Sequence, residues 1–206
     1  MSKIDFKKKL KYLYRPSSKK FESVNVPPMN FLMIDGHGDP NVAPAYQEAV
    51  EALYAVAYKI KFKSKKEVGR DYVVPPLEGL WWAEDMASFT SARDKSDWDW
   101  TMMIMTPEWI DSEMYEQALA EVRKKKNPPA LPKMRLESYH EGLVVQIMHI
   151  GSYEDEGPTL ARMHQQWMPE NGYVPNGKHH DIYLSDPRRC DPSRMKTILR
   201  QPIRKA

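Results

Sequence analysis

The chain has 206 residues, 41% of them hydrophobic, enough for one domain, or one domain of two similar halves, with a proper core. No apolar run approaches the ~20 residues of a membrane span, and a single cysteine, Cys190, excludes an internal disulfide framework and fits a reducing compartment. The net charge of +3 is unevenly placed: residues 1–20 hold eight Lys or Arg against Asp5, so the remainder sums to −4.

The opening stretch MSKIDFKKKLKYLYRP lacks the apolar segment of a secretory signal, so a cytoplasmic location is expected. It forms a basic arm over residues 1–22. No helix-turn-helix pattern accompanies it. It therefore reads as a solvated helix, docked through Ile4, Leu10, Leu13 and Tyr14, and no nucleic-acid partner is expected. VNVPPMNFLMID (24–35) reads as an extended lead-in and a buried strand, turned at Gly36, Gly38 and Pro40. Asn41 is the expected cap of a helix with Pro44 in its first turn and Val42, Tyr46, Ala49, Val50, Leu53, Ala57 and Ile60 at helical spacing.

Residues 71–83, DYVVPPLEGLWWA, read as a strand interrupted by Pro75 and Pro76. A polar loop leads to DWDWTMMIM (97–105), another strand. Thr106 and Pro107 are expected to open a helix with Ile110, Met114, Ala118, Leu119 and Val122 on its apolar stripe, ended by RKKKN at the negative pole of its dipole. LVVQIMHI (143–150) is apolar on both faces, as a central strand is. Pro158 opens a second helix carrying Leu160, Met163, His164, Trp167 and Met168. HHDIYLSDP (179–187) and MKTILRQPI (195–203) are the last strands. Each half thus runs strand, helix, strand, strand. The predicted fold is α+β, a pseudo-twofold duplication around an antiparallel sheet, with repeats at about 23–105 and 135–206.

The chemistry concentrates on these strands. Residues two apart on a strand share a face, so Trp98 and Trp100 face together while Trp81 and Trp82 face opposite ways. Tyr72, Tyr139, Tyr153, Tyr173 and Tyr183 add phenols. Indoles and phenols carry a polar tip that a sealed core must satisfy and a cavity can use. The reading places Trp82 and Trp100 at a cavity that Tyr183 also reaches, with Tyr153, Tyr139, Tyr72 and His149 as further ligand-binding candidates. On a buried strand, His149 reads more readily as a core histidine than as a ligand contact. Two carboxylates stand among these aromatics. Glu78 shares a face with Leu80 and Trp82, and Asp181 with Tyr183. An acid between apolar neighbours is either paired structurally or a ligand-facing group with a raised pKa. His179, His180 and Asp181 alternate in direction, so no metal site is expected. GHGDP has neither a P-loop lysine nor dinucleotide spacing, so no cofactor is expected. Cys190, beside Arg189, has no clear base near it.

The motifs VPPMNFLMIDGHGDPN, PLEGLWW, DWDWTMMIMTP, HHDIYLSDPRR and KTILRQPI resemble the stand-alone branch of the GyrI-like small-molecule-binding family. The resemblance runs from about residue 16 to the C-terminus and implies one domain over residues 23–206, with a ligand cleft between the two repeats. Some members of that branch hydrolyse the cyclopropane of DNA-alkylating natural products of the yatakemycin and duocarmycin type within an aromatic cage. The resemblance therefore implies a flat, hydrophobic aromatic ligand. Tyr183 or Tyr153 would donate to the ligand carbonyl, and Asp181 or Glu78 would activate water. The branch usually carries Glu where Asp181 stands. The alternative is a non-catalytic protein that sequesters or senses hydrophobic or cationic compounds.

Overall fold

The computed structural model describes residues 3–84 and 95–206. Nine strands among these residues form an antiparallel sheet: β1 Glu22–Val26, β2 Met29–His37, β3 Leu77–Trp82, β4 Asp99–Thr106, β5 Arg135–Tyr139, β6 Gly142–Ile150, β7 Tyr173–Pro175, β8 His179–Tyr183 and β9 Lys196–Lys205. Their order is β1-β6-β9-β8-β3-β4-β2-β5, with β7 also paired to β9. Exchange of the two halves leaves this order unchanged, because β6, β9 and β8 mirror β2, β4 and β3 about the β8–β3 seam. The leading strands are swapped. β1 pairs with β6 and β5 pairs with β2, so each half is stitched to the other at its outer edge. Pro27 and Pro28, which have no N–H to donate, separate β1 from β2.

One face of the sheet, here called the front, carries the long helices. α3, Pro44–Lys63, starts with Pro at its first position and buries Ala49, Ala52, Leu53, Val56, Ala57 and Ile60. Short helices α1 Phe6–Lys9 and α2 Lys11–Tyr14 precede it in the arm. α4, Ser112–Lys125, packs beside α3. The second repeat places α5, Gly157–Arg162, on the same face. α5 passes through a π turn, Met163–Trp167, into α6, Met168–Glu170. The front core joins α3 and α4 to Leu32, Ile34, Trp100, Met102 and Ile104, and a separate cluster joins Met163 and Met168 to Val145, Ile147 and Leu199.

The back face is closed by the arm. Phe6 packs with Phe31, Met33, Tyr72 and Met103, and Leu13 and Tyr14 pack with Val144, Ile182 and Ile198. The arm is thus docked through its apolar side, as its sequence suggests, with its lysines turned outward.

Three local expectations are corrected. Ala43, not Asn41, is the N-cap of α3, because Asp39 and Asn41 are spent on a turn of their own. Thr106 ends β4 rather than capping a helix. α4 begins six residues later at Ser112, where the Asp111 carboxylate accepts from the Met114 N–H at 2.9 Å. Strand pairing starts at Leu77, beyond Pro75 and Pro76, so Tyr72 makes only an isolated bridge to Ile4. The polar loop expected after Ala83 includes residues 85–94, which lie outside the described residues. No helix among the described residues is long and apolar enough to cross a membrane.

Candidate functional site

The front face at the β3–β8 seam is not covered by either helix pair. There the sheet floor meets α3 on one side and the 153–160 segment on the other, leaving a cleft of about 1450 Å³. The register sets Gly79 opposite Asp181, Trp81 opposite His179 and Leu77 opposite Tyr183, so these side chains share the floor. Tyr46, Tyr54 and Tyr58 enter from α3, and Tyr153, Glu156 and Leu160 from the other side.

The indole of Trp81 organises the aromatic part. It stacks on Tyr46 at 6.2 Å and 27° and meets the edge of Trp98 at 5.7 Å. Its Nε1–H donates to Tyr183 Oη at 3.1 Å, and Tyr153 meets Tyr183 edge-on at 5.6 Å. Gly79 makes this possible, since a Cβ there would come within 2.8 Å of Trp81 Nε1. Because Tyr183 Oη accepts from Trp81, its own proton remains available to a ligand. Burial and the Asp181 charge hold that proton far into the alkaline range, and burial pushes the Tyr153 phenol up to about 12. Both phenols are therefore donors at neutral pH.

The polar end is built from Asp181, His179 and Glu156. Asp181 Oδ1 lies 2.9 Å from His179 Nε2. Glu156 is buried, and its Oε1 and His179 Nδ1 find no hydrogen-bond partner among the described residues. Burial, reinforced by the Asp181 charge, pushes the Glu156 carboxyl up to about 9. The nearby Thr197 hydroxyl and the Lys95 charge oppose this only in part. Glu156 is thus a neutral acid at pH 7 in a cleft that also holds a carboxylate.

This arrangement has a stability cost. The unfolded Glu156 ionises near the ordinary carboxyl value of 4.5, whereas the folded group keeps its proton to about 9. The contribution of Glu156 to stability is therefore most favourable below pH 4.5 and falls as the pH rises towards 9. Glu156→Gln, which removes the titration but keeps the shape, is expected to raise stability at pH 7 by roughly 1–3 kcal/mol. Urea unfolding of both proteins should show the difference shrinking to nothing at pH 4.

A model of the GyrI-like small molecule binding domain matches residues 19–204. The chain belongs to the GyrI-like family. Three crystal structures from Listeria innocua are each 43% identical and cover 98% of this chain and 100% of their own. Their TM-scores are 0.90, 0.87 and 0.85; the first is described as an uncharacterized conserved protein and the other two as hydrolases. The EcmrR C-terminal domain, 11% identical, covers 91% of this chain and 98% of its own at a TM-score of 0.56, a likeness of fold. A comparison with curated proteins finds no match.

Within this GyrI-like domain, the residues singled out from sequence separate into two groups. Asp181, Tyr183 and Tyr153 meet in the cleft. Trp100 faces the same side but is sealed, edge-on to Tyr46 at 5.5 Å and over Gly36, where a Cβ would sit 2.0 Å from the ring. The indoles that line the cleft are Trp81 and Trp98, not Trp82 and Trp100. Trp82 is on the back face, capped by the Lys178 ammonium 3.2 Å from its ring centre. Tyr72 and Tyr139 pack in the back core. His149 Nε2 is spent on Ser152 O at 3.0 Å.

Glu78 also points to the back, and its expected role at the ligand is corrected. Its carboxylate accepts from Tyr14 Oη and His180 Nε2, both at 2.9 Å. His180 Nδ1 donates to Glu141 at 2.9 Å, and Arg200 holds Glu141 at 3.1 Å while also bonding Gln146 and Leu13 O. Two carboxylates thus face two cations in a sealed, neutral network. Despite burial, the two carboxylates push His180 up to about 9, and His180 and Arg200 hold Glu141 down at about 2. Among the described residues, no three His, Cys, Asp or Glu converge as a metal site.

Proposed function

We propose that this GyrI-like domain takes flat, hydrophobic aromatic molecules into the cleft beside Trp81, Tyr46 and Tyr183, and hydrolyses the cyclopropane of DNA-alkylating natural products of the yatakemycin and duocarmycin type, protecting the cell from them in the cytoplasm. The observation that carries the reading is the meeting, in one cleft, of an aromatic floor, a phenol with a free proton and an acid. The two similar Listeria innocua proteins described as hydrolases support a catalytic rather than a purely binding role.

The chemistry follows from the geometry. Stacking on Trp81 and Tyr46 holds a planar ring system and excludes bulk water. Tyr183 donates a hydrogen bond to the dienone oxygen of the ligand. Asp181 orients a water and takes its proton as the oxygen attacks the cyclopropane methylene. The carbon–carbon bond of the strained ring breaks, and its electron pair restores the aromatic phenol. The proton taken by Asp181 is returned through solvent to the phenol oxygen, so the net change is addition of one water.

Asp181 in the position where the branch usually has Glu favours a second reading, a protein that binds such compounds without turning them over. Mass spectrometry of a cyclopropane-bearing azaindole compound after incubation with the protein separates the two. A product heavier by one water supports hydrolysis. An intact compound that co-purifies with the protein supports sequestration, and a compound that is neither altered nor retained contradicts both.

A further inference from the structure

We propose that Glu156, buried in the cleft that also holds Asp181, is the hydrogen-bond donor that recognises an acceptor oxygen on a neutral planar ligand. The proposal rests on the cleft being the small-molecule site, and it specifies the chemistry of what enters. Glu156 is 8% exposed and its Oε1 has no partner among the described residues, so a ligand oxygen meets a group whose hydrogen bonding is incomplete. A buried polar atom without a partner is costly, and a functional cleft is a place where that cost is retained.

The groups facing Glu156 explain where the proton sits. β8 contributes Asp181, with His179 beside it, and Tyr183. β9 contributes the Thr197 hydroxyl, the 153–156 turn contributes Tyr153, and Lys95 contributes a positive charge that acts on Glu156. His164 is near His179 but neutral, held down at about 4 by burial and the His179 charge. Burial and a neighbouring carboxylate both disfavour the charged form of a carboxyl. Asp181 Oδ1 has His179 Nε2 at 2.9 Å, whereas Glu156 Oε1 has no hydrogen-bond partner among the described residues. Glu156, its carboxyl pushed up to about 9 by burial and the Asp181 charge, keeps its proton at neutral pH.

A pocket of this kind discriminates by charge in a pH-dependent way. While Glu156 is protonated, a neutral ring system with a carbonyl gains a hydrogen bond. Once Glu156 ionises, near pH 9, that donor is lost and a second negative charge appears, which favours a planar cation instead. Acridone and 10-methylacridinium are suitable probes, since both are three-ring planes of the same size, one with a carbonyl and the other with a fixed charge.

The test is a fluorescence titration of both probes against the full chain from pH 6 to pH 9.5, with Glu156→Gln and Glu156→Leu alongside. Acridone affinity should stay level to about pH 8 and fall roughly fourfold by pH 9.5, while methylacridinium affinity rises by a similar factor. Glu156→Gln keeps a donor but cannot titrate, so acridone should bind as in the parent at pH 7 and lose its pH dependence. Glu156→Leu should weaken acridone about tenfold at pH 7. Level affinities for both probes in the parent protein would overturn the proposal. If neither probe binds, the cleft reading fails, and the protonation of Glu156 is then judged alone by a ¹³C NMR titration of its side-chain carboxyl. Ionisation above pH 8 supports a protonated Glu156, and ionisation at or below pH 8 overturns it.

Discussion

Glu141→Gln is expected to remove about 3–5 kcal/mol of stability, the cost of leaving a buried charge without its partner. Glu141 stands in the short link between β5 and β6, and it is the shared anchor of His180 and Arg200. Without its charge, two buried cations face Glu78 alone. The network also joins the arm to β3, β6, β8 and β9, since Arg200 holds Leu13 O at 2.8 Å and Gln146 holds Tyr12 O at 2.7 Å. Its loss therefore loosens the arm as well as the sheet. The pH dependence gives a second signature. His180 is raised from 6.5 to about 9 on folding, so the stability it contributes is complete below pH 6.5 and is lost as the pH rises through about 9. That loss amounts to about 3 kcal/mol. Glu141 works in the opposite direction, its share being complete above pH 4.5 and lost as the pH falls through about 2. Urea unfolding at pH 6 and pH 9.5 should show a steep alkaline decline in the parent protein and a shallow one in Glu141→Gln, where His180 has lost its strongest reason to stay charged. An equal decline in both would place the alkaline sensitivity elsewhere.

Asp181→Asn is expected to lower turnover of a cyclopropane substrate by roughly 10²–10⁴-fold, the usual consequence of removing a general base. Ligand affinity should change little, because Asn keeps the shape and the aromatic floor is untouched. Asp181→Glu restores the usual residue of the branch and lengthens the acid by one methylene, so a hydrolase limited by a short base should become faster. A sequestering protein would gain no hydrolysis from either change, and Asp181→Asn would weaken cationic ligands while sparing neutral ones. Single-turnover kinetics with parallel binding curves distinguishes these patterns.

Much of the fold is written in the hydrophobic periodicity. The repeat order, the long helix after Pro44 and the central character of LVVQIMHI all follow from local pattern, and the sheet order later confirms that the halves are equivalent. The strands missed were those without an apolar signature. RLESY is polar and only partly buried, and YVP is three residues long. The cap assignments at Asn41 and Thr106 failed because Asp, Asn and Thr serve turns and strand ends as readily as helix starts.

The site was legible only in part, for a reason of parity. Alternation shows that Trp81 and Trp82 face opposite ways, yet only the pairing of Gly79 with Asp181 and of Trp81 with Trp100 tells which of them shares a face with Asp181. That register also sends Glu78 to the back. Glu156 carries no distinguishing local signal. In YEDEGP it is the last of three consecutive acids, and tertiary packing alone separates it from its exposed neighbours Glu154 and Asp155.

The central claim is that ligands enter the front cleft between the two repeats. Paired titrations of Trp81→Ala and Trp82→Ala with one flat aromatic ligand test it most directly, because these adjacent residues stand on opposite faces of one strand. Trp81→Ala should weaken binding by roughly 1–3 kcal/mol, the scale of one buried aromatic contact, and Trp82→Ala should leave it unchanged. Loss of affinity in Trp82→Ala with Trp81→Ala unaffected would contradict the account and move the ligand to the other side of the sheet.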